Sequence, residues 1–399
     1  MRQAQNSNHL NVCELAHMPQ LDGLRALAVS LVVAHHYFLS GNVGSLALIG
    51  VKLFFVLSGF LITGILLRSR LLAESTGQGY WLAIRQFYIR RFLRIFPLYC
   101  FVIAVAFMLN LEPVREILPW LLTYTLNIHM ANQGWFVDNF AHFWTLAVEE
   151  QFYIFWPWLM FFTPRKWLIP ITLAFISLGP LYRAYEMLIG LNGLATYIFT
   201  PACLDALCLG ALLAVVSTMR YSKDMTHNVL NNIVLPVGLS ASIFLYFFGK
   251  QTVGNTIYTI VFDFTLALLF CWLIYSAGRG FHGVIGAILE SKPLVYMGRI
   301  SYGIYVYHPF MPQLCRYAAS LIGWHYAANG WTAFFVQSVA TGLIASLSWR
   351  LMEKPLNDLK RFFQYSAVPV RDDSEISGLC SPAVADTSTS EVASLAAEM

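Results

Sequence analysis

Apolar runs of about 20 residues recur along the whole chain and constrain its fold more than any other feature. A helix needs about 20 such residues to cross roughly 30 Å of hydrocarbon. Runs of this kind lie near residues 24–43, 46–67, 94–111, 143–163, 167–186, 198–218, 229–248, 256–276, 300–322 and 331–350. Only 12% of the residues are charged, which is too few to cover a soluble globule. The sequence therefore predicts an all-α, polytopic integral membrane protein with about ten transmembrane helices.

A shorter apolar segment at residues 117–130, interrupted by Pro119, decides the predicted topology. Basic side chains collect on the cytoplasmic side of a membrane. Between residues 68 and 94 there are six arginines and one acid, so this loop is predicted to be cytoplasmic. If 117–130 is a re-entrant or surface segment, the later basic loops fall on the same side. We therefore expect a multi-pass protein of the inner (cytoplasmic) membrane with both termini in the cytoplasm.

Composition also predicts the domain organisation and excludes some partners. We expect a cytoplasmic N-terminal segment at 1–19, a transmembrane domain at 20–363 and a disordered cytoplasmic tail at 364–399, which is rich in Ser, Ala, Thr and acids. The net charge of +4 is scattered, so no nucleic-acid partner is expected. The seven cysteines lack a metal-ligand spacing, so no metal is expected.

Arg25 and His36 stand eleven residues apart within the first apolar run. Eleven helical steps advance about 16 Å and return to within roughly 20° of the same face. Ionisable side chains inside a span are costly and are functional candidates by default. We therefore interpret this stripe as a binding path for a long anionic cofactor, with the neighbouring His35 as a second choice. The alternative is that His36 is a hydrogen-bonded histidine of the protein core.

Arg91 and Arg94 lie three residues apart at the start of the third run, so they share one helix face. Guanidinium groups bind phosphate through two parallel hydrogen bonds, which makes this pair a candidate phosphate site. Flanking arginines on the cytoplasmic side of a span are common, however, and the pair is also explained by topology alone.

The fourth run contains two adjacent carboxylates, Glu149 and Glu150. At least one of them must be paired or protonated inside the membrane. His142 lies seven residues before Glu149 and Tyr153 one turn after it, so these three share a face. The group is either part of an active site or a structural salt bridge.

Ser301, Tyr305 and His308 share one face near the start of the ninth run. Pro309 follows His308 and has no backbone N–H, so the carbonyl of Tyr305 should lack its helical partner. A histidine next to such a break is a candidate site residue.

Taken in order, these strings resemble the membrane-bound acyltransferase-3 family, whose members O-acylate cell-surface carbohydrates with a cytoplasmic acyl-coenzyme A. The resemblance covers about residues 20–362 and rests on six matches: 21–28, the spacing of Arg25 and His36, 54–62, the Arg91 and Arg94 pair, 144–153, and 301–308. Two positions depart from the family pattern. Lys52 stands where Asp is frequent, and Thr145 replaces a frequent Ser.

The resemblance implies an O-acyltransferase that moves an acetyl or other acyl group from acetyl-coenzyme A to a hydroxyl of a polysaccharide, lipopolysaccharide or lipo-oligosaccharide. It implies that Arg25, Arg91 and Arg94 hold the coenzyme A phosphates. His36 would activate the acceptor hydroxyl or carry the acetyl group, and Glu149 would fix the tautomer of His36. Further substrate or oxyanion contacts are expected from Tyr153, Ser301, Tyr305 and His308. The alternatives are a proton-coupled exporter or flippase of a glycoconjugate, or a structural or receptor membrane protein.

Overall fold

A computed structural model describes residues 18–38, 46–190, 193–218, 223–249, 254–324, 326 and 330–363. The predicted tail at 364–399 and all but the last two residues of the predicted N-terminal segment lie outside this part of the chain. The described residues are helical and contain no strand. The all-α prediction is therefore confirmed.

The described residues form α-helices that we number in chain order, with short 3₁₀ or π segments between some of them. These are α1 Pro19–Tyr37, α2 Leu46–Thr76, α3 Tyr80–Met108, α4 Val114–Leu122, α5 Leu126–Gln133, α6 Phe143–Phe162, α7 Arg165–Leu188, α8 Ala195–Ile198, α9 Thr200–Thr218, α10 Lys223–Val229, α11 Leu235–Phe244, α12 Gly254–Arg279, α13 Gly283–Leu289, α14 Lys292–Arg299, α15 Ser301–Tyr307, α16 Met311–Leu321, α17 Trp331–Ser348 and α18 Lys354–Asp358. A 3₁₀ turn at His308–Phe310 joins α15 to α16.

Seven helical stretches of the described chain are long and apolar enough to cross a membrane. They are Leu46–Thr76, Tyr80–Met108, Arg165–Leu188, Ala195–Thr218, Met225–Phe248, Ile260–Arg279 and Trp331–Phe362. Three of the ten predicted spans are not among them. The helices α1 and α6 carry ionisable side chains that lower their hydropathy, and the predicted span 300–322 is broken at the 3₁₀ turn.

The observed helix ends differ from the predicted spans in ways that move site residues. Helix α1 ends at Tyr37, so His36 lies in its last turn. The predicted span at 24–43 extends past this end. Helix α3 begins at Tyr80, well before the predicted start at residue 94, because the basic stretch that precedes the apolar run is itself helical. The segment 117–130 forms parts of two short helices, α4 and α5, each too short to span a bilayer.

Helices α2 and α9 pack with their backbones in direct contact. A Cβ atom on Gly59 would lie 1.8 Å from the carbonyl oxygen of Leu207, and one on Gly210 would lie 2.0 Å from that of Val56. Only glycine fits at both positions, as is usual where membrane helices approach closely. This contact fixes α2, which carries one wall of the site described below.

A buried network of four charges ties α2 to α7, α9 and α12. The Lys52 ammonium lies 3.0 Å from a carboxylate oxygen of Asp263 and 3.7 Å from one of Asp205. The Arg183 guanidinium lies 2.8 Å from Asp205 and 3.5 Å from Asp263. Two cations and two anions cancel, which is how buried charges are tolerated. The network gives Lys52, one of the two departures from the family pattern, two acidic partners.

Candidate active site

A partly open cavity of about 800 Å³, a volume that includes the solvent space at its mouth, lies between α1, α2, α3, α6 and α15. We call it the arginine cavity. Its charged lining consists of three arginines and one glutamate, namely Arg25, Arg91, Arg94 and Glu149. Its other lining residues are Val51, Phe54, Phe55, Leu57, Ser58, Leu61, Ile62, Ile95, Thr145, Leu146, Tyr153, Ser301, Tyr302 and Tyr305. The structure thus brings together seven of the nine site residues named from the sequence.

Arg25 enters the cavity from the first two turns of α1. Its guanidinium lies 3.4 Å from a carboxylate oxygen of Asp22, one turn earlier on the same helix. The other carboxylate oxygen of Asp22 lies 4.0 Å from Arg299. Asp22 is buried and therefore anchors the start of α1 while partly neutralising Arg25.

Arg91 and Arg94 enter from α3, one turn apart. The guanidinium carbon of Arg91 lies 5.1 Å from the centre of the Tyr153 ring and 5.8 Å from that of Phe87. These are cation–π contacts, which position a guanidinium without using its N–H groups. Neither Arg91 nor Arg94 forms a hydrogen bond or close ion pair with another described residue. The guanidinium N–H groups of both arginines are therefore available to bind an anion in the cavity.

Glu149 faces the arginines from α6. It interacts with the Ser58 hydroxyl and with the positive charges of Arg91 and Arg25. Ser58 also makes a short hydrogen bond with Tyr153. Within the described residues no contact joins Glu149 to His36. Glu149 interacts with Arg25 near the start of α1, whereas His36 lies in the last turn of that helix. The geometry therefore does not support the expectation that Glu149 fixes the tautomer of His36.

Tyr305 and Thr145 line one end of the cavity and lead to a group of histidines. Their hydroxyl groups are 2.6 Å apart, and the Tyr305 hydroxyl donates to the His142 carbonyl at 2.9 Å. A serine at position 145 could make the same bond, so Thr145 preserves this link. The Tyr305 ring centre lies 5.7 Å from that of His142 and 5.5 Å from that of His308.

Three imidazoles beyond Tyr305, those of His36, His142 and His308, form what we call the histidine cluster. The ring centres of His36 and His308 are 5.1 Å apart, and those of His142 and His308 are 5.4 Å apart. His142 and His308 are buried, whereas His36 is exposed and does not line the arginine cavity. Helix α1 ends beside His36. His35 contacts the ring of His36 from the adjacent position.

His308 is held in one orientation. Its Nδ1 atom lies 2.7 Å from the carbonyl oxygen of Tyr305, the carbonyl that loses its helical partner because Pro309 has no N–H. A carbonyl only accepts, so Nδ1 carries a proton and Nε2 of the neutral ring carries a lone pair. Nε2 is buried and has no partner in the described structure. This tautomer accepts a hydrogen bond and does not suit the oxyanion contact expected of His308.

Sequence reasoning missed three groups near the arginines. Ser58 lies in a string that was recognised, but no role was given to it. Lys360 lies close enough to Arg91 and Arg94 to interact with their charges. Glu353 accepts a hydrogen bond from Ser348 at 3.0 Å and interacts with Arg94. The last two follow the final apolar run, where the sequence offered only ordinary basic flanking residues.

The fold and the site together define a multi-pass helical membrane protein with an internal basic cavity beside buried histidines. Among the described residues no group of three or more His, Cys, Asp or Glu side chains is arranged to hold a metal ion. The profile of the family described as an acyltransferase domain matches residues 18–350. The chain therefore belongs to this acyltransferase-3 family.

Curated relatives of the chain are named as O-acetyltransferases. Peptidoglycan O-acetyltransferase OatA of Listeria monocytogenes is 29% identical over 374 residues, which cover 85% of this chain and 56% of the relative. Putative peptidoglycan O-acetyltransferase YrhL of Bacillus subtilis is 29% identical over 374 residues, covering 85% and 55%. A putative O-acetyltransferase of Staphylococcus aureus, SAS0844, is 28% identical over 369 residues, covering 86% and 58%. The chain thus spans a little over half the length of these relatives. No solved structure matches it significantly.

Proposed function

We propose that the chain transfers an acetyl group from cytoplasmic acetyl-coenzyme A to a hydroxyl group of a cell-surface carbohydrate. The observation that carries this proposal is the arginine cavity, whose lining contains three guanidinium groups and one carboxylate. The half-buried guanidinium groups of Arg91 and Arg94, which bond no described residue, call for an anionic ligand. Coenzyme A carries phosphates, which supply the negative charge, and a long arm, which can carry the acyl group away from the arginines.

Arg91, Arg94 and Arg25 bind the phosphates of the donor in this proposal. The free forks of Arg91 and Arg94 favour bidentate contacts with phosphate oxygens. Lys360 adds a fourth cation next to them. The acyl end then extends along the apolar wall of α2 toward Tyr305 and Thr145, at the end of the cavity nearest the histidines.

His36 is the base that acts on the acceptor. One nitrogen of His36 takes the proton of the acceptor hydroxyl while the hydroxyl oxygen attacks the thioester carbonyl. The carbon–sulfur bond then breaks, and the coenzyme A thiolate receives the proton. In a second version His36 first carries the acetyl group and then passes it to the acceptor hydroxyl. The His36 side chain is exposed and lies in the last turn of α1.

Peptidoglycan is the first candidate acceptor, because two of the relatives carry that substrate in their names. Other surface glycans, including lipopolysaccharide and lipo-oligosaccharide, present the same class of hydroxyl group. The shared requirement is a carbohydrate alcohol that reaches His36.

We also propose that α1, α6 and the broken segment 301–321 cross the membrane together with the seven stretches above. This gives ten crossings and leaves both termini in the cytoplasm, with the arginine cavity open toward the cytoplasmic side of the inner membrane. The basic residues in the first half of α3 and those that follow α17 support this orientation.

The test is transfer of labelled acetyl from acetyl-coenzyme A to the glycans of membrane vesicles, compared between wild type and His36→Ala at matched expression. We expect base-labile label on glycan with wild type and a loss of at least 100-fold with His36→Ala. The exposed His282 gives the control variant His282→Ala, which should keep full activity. Equal transfer by His36→Ala would remove His36 from the mechanism.

The second candidate, a proton-coupled exporter or flippase, would use buried ionisable groups as a proton relay. The four-charge network around Lys52 and Arg183 is the observation that favours it. Uptake of a glycoconjugate that depends on a proton gradient, without transfer of label, would support the exporter over the acyltransferase.

A further inference from the structure

We propose that His308 is the positioning residue of His36, and that His36 turns inward to donate an N–H to Nε2 of His308. This inference rests on the proposed function, in which His36 is the base. It assigns to His308 the orienting role that the sequence gave to Glu149.

The first observation is the fixed state of His308. The bond from Nδ1 to the Tyr305 carbonyl leaves Nε2 as a pure acceptor. Nε2 is buried without a partner. An unsatisfied buried acceptor is destabilising, so a state that supplies a donor to Nε2 is favoured.

The second observation concerns the groups that face His308. These are His36 and Tyr37 from α1, His142 from the start of α6, and Tyr305 from its own segment. The Tyr37 hydroxyl is already committed to the His308 backbone carbonyl at 2.7 Å. The Tyr305 hydroxyl is committed to the His142 carbonyl. Of these four described groups, the rings of His36 and His142 have nitrogens left to donate to Nε2.

The ring centres of His36 and His142 both lie near that of His308, at 5.1 Å and 5.4 Å, and we assign the donor to His36 because its exposed ring has the greater freedom to turn. The bond from Tyr37 to the His308 carbonyl also holds the last turn of α1 against His308. A rotation of the exposed His36 side chain is then enough to bring one of its nitrogens to Nε2. That nitrogen is protonated, so the other nitrogen of His36 is the basic one. His308 thereby fixes the tautomer of the base and stabilises the imidazolium formed when the acceptor loses its proton.

Two substitutions separate this role from a structural one. In His308→Asn the side-chain amide can still donate to the Tyr305 carbonyl from the position of Nδ1, but the acceptor at Nε2 is lost. His308→Gln can place an amide oxygen near the position of Nε2. We expect His308→Asn to keep the thermal stability of wild type in detergent and its KM for acetyl-coenzyme A. Its kcat should fall about 10- to 100-fold, and His308→Gln should recover part of that loss.

The tautomer of His36 is measured directly by ¹⁵N NMR of histidine-labelled protein, with the His36 signals assigned by comparison with His36→Ala. Wild type should show a single neutral tautomer at His36, and His308→Asn a mixture of two. A kcat equal to wild type in His308→Asn, or an unchanged His36 tautomer, would overturn the proposal. So would a loss of kcat in His142→Asn with none in His308→Asn, because it would assign the role to His142.

Failure of the proposed function gives a different result. If wild-type vesicles transfer no label from acetyl-coenzyme A, the proposed function fails. The NMR comparison needs neither donor nor acceptor, and it still decides whether His308 controls the His36 tautomer.

Discussion

The guanidinium carbon of Arg91 lies 5.1 Å from the centre of the Tyr153 ring, and the Tyr153 hydroxyl is bound by Ser58. Three helices, α2, α3 and α6, therefore cooperate to hold one arginine against the cavity wall. The ring attracts the cation through its face and leaves the five N–H donors of Arg91 unused. A site built in this way presents a ready guanidinium fork to an anion.

Loss of the guanidinium groups of Arg91 and Arg94 should weaken the binding of acetyl-coenzyme A. We expect Arg91→Ala and Arg94→Ala to raise the KM for acetyl-coenzyme A about 10- to 100-fold, the range for losing charge-assisted hydrogen bonds worth about 1.5–3 kcal/mol. Initial rates of acetyl transfer at increasing donor concentration give this value. Arg85 lies on the same helix and is exposed, so Arg85→Ala is the matched control and should leave KM unchanged. If KM is unchanged in both Arg91→Ala and Arg94→Ala, these arginines serve only to orient the chain in the membrane.

Neutralising the single acid of the cavity should separate binding from chemistry. Glu149→Gln removes the only lining carboxylate, so attraction of the phosphates should be equal or stronger, and KM for acetyl-coenzyme A should not rise. If Glu149 acts in catalysis, kcat should fall at least 10-fold. The adjacent Glu150 does not line the cavity, and Glu150→Gln should have the smaller effect on kcat. The same kinetic titration with both variants tests this, and a raised KM in Glu149→Gln would contradict it.

The buried four-charge network should be a large stability element. Lys52→Met leaves Asp263 without its closest partner, and breaking such a pair costs about 3–5 kcal/mol. Thermal unfolding in detergent should show a lowered midpoint, with partial recovery in the double variant Lys52→Met, Asp263→Asn. The exposed Lys354 and Asp358 pair supplies the control, because Lys354→Met should change stability by less than about 0.5 kcal/mol. Similar midpoints for the two lysine variants would argue against the network.

The close contact of α2 and α9 should not tolerate a methyl group. In Gly59→Ala the new Cβ would lie 1.8 Å from the Leu207 carbonyl oxygen, which is rigid backbone. We expect a loss of about 2 kcal/mol or more, seen as a smaller monodisperse fraction on size-exclusion chromatography. Gly64 lies on the same helix and its Cβ would meet nothing within 4 Å, so Gly64→Ala should behave as wild type. A well-folded Gly59→Ala protein would mean that the helices separate at little cost.

Much of the arginine cavity could be predicted because its residues lie in short strings. Arg91 and Arg94 are one turn apart, and their helix face follows from spacing alone. The resemblance to the acyltransferase-3 family then placed them with Arg25 and Glu149. The break at His308 could also be anticipated, because Pro309 removes a helical donor whatever surrounds it.

Contacts between distant helices could not be predicted. Lys52, Asp205 and Asp263 come from three separate runs, and no periodicity within one run reveals a partner in another. The end of α1 was misplaced for a different reason. The apolar run continues past Tyr37, whereas the described helix ends there, and hydropathy alone does not locate a helix end.

The glycine contact between α2 and α9 determines which wall of the cavity can yield. Helix α2 packs tightly against α9 at Gly59 and Gly210 and is tied to α7 and α12 through the network around Lys52. We therefore expect α2 to be the rigid wall of the cavity. Admission of a bulky ligand must then be accommodated by the facing side, where α3 and α15 border the same space. Movement during turnover should therefore occur on the side of α3 and α15. Distances measured from spectroscopic labels on α3 should change during turnover, whereas the distance between labels on α2 and α9 should not.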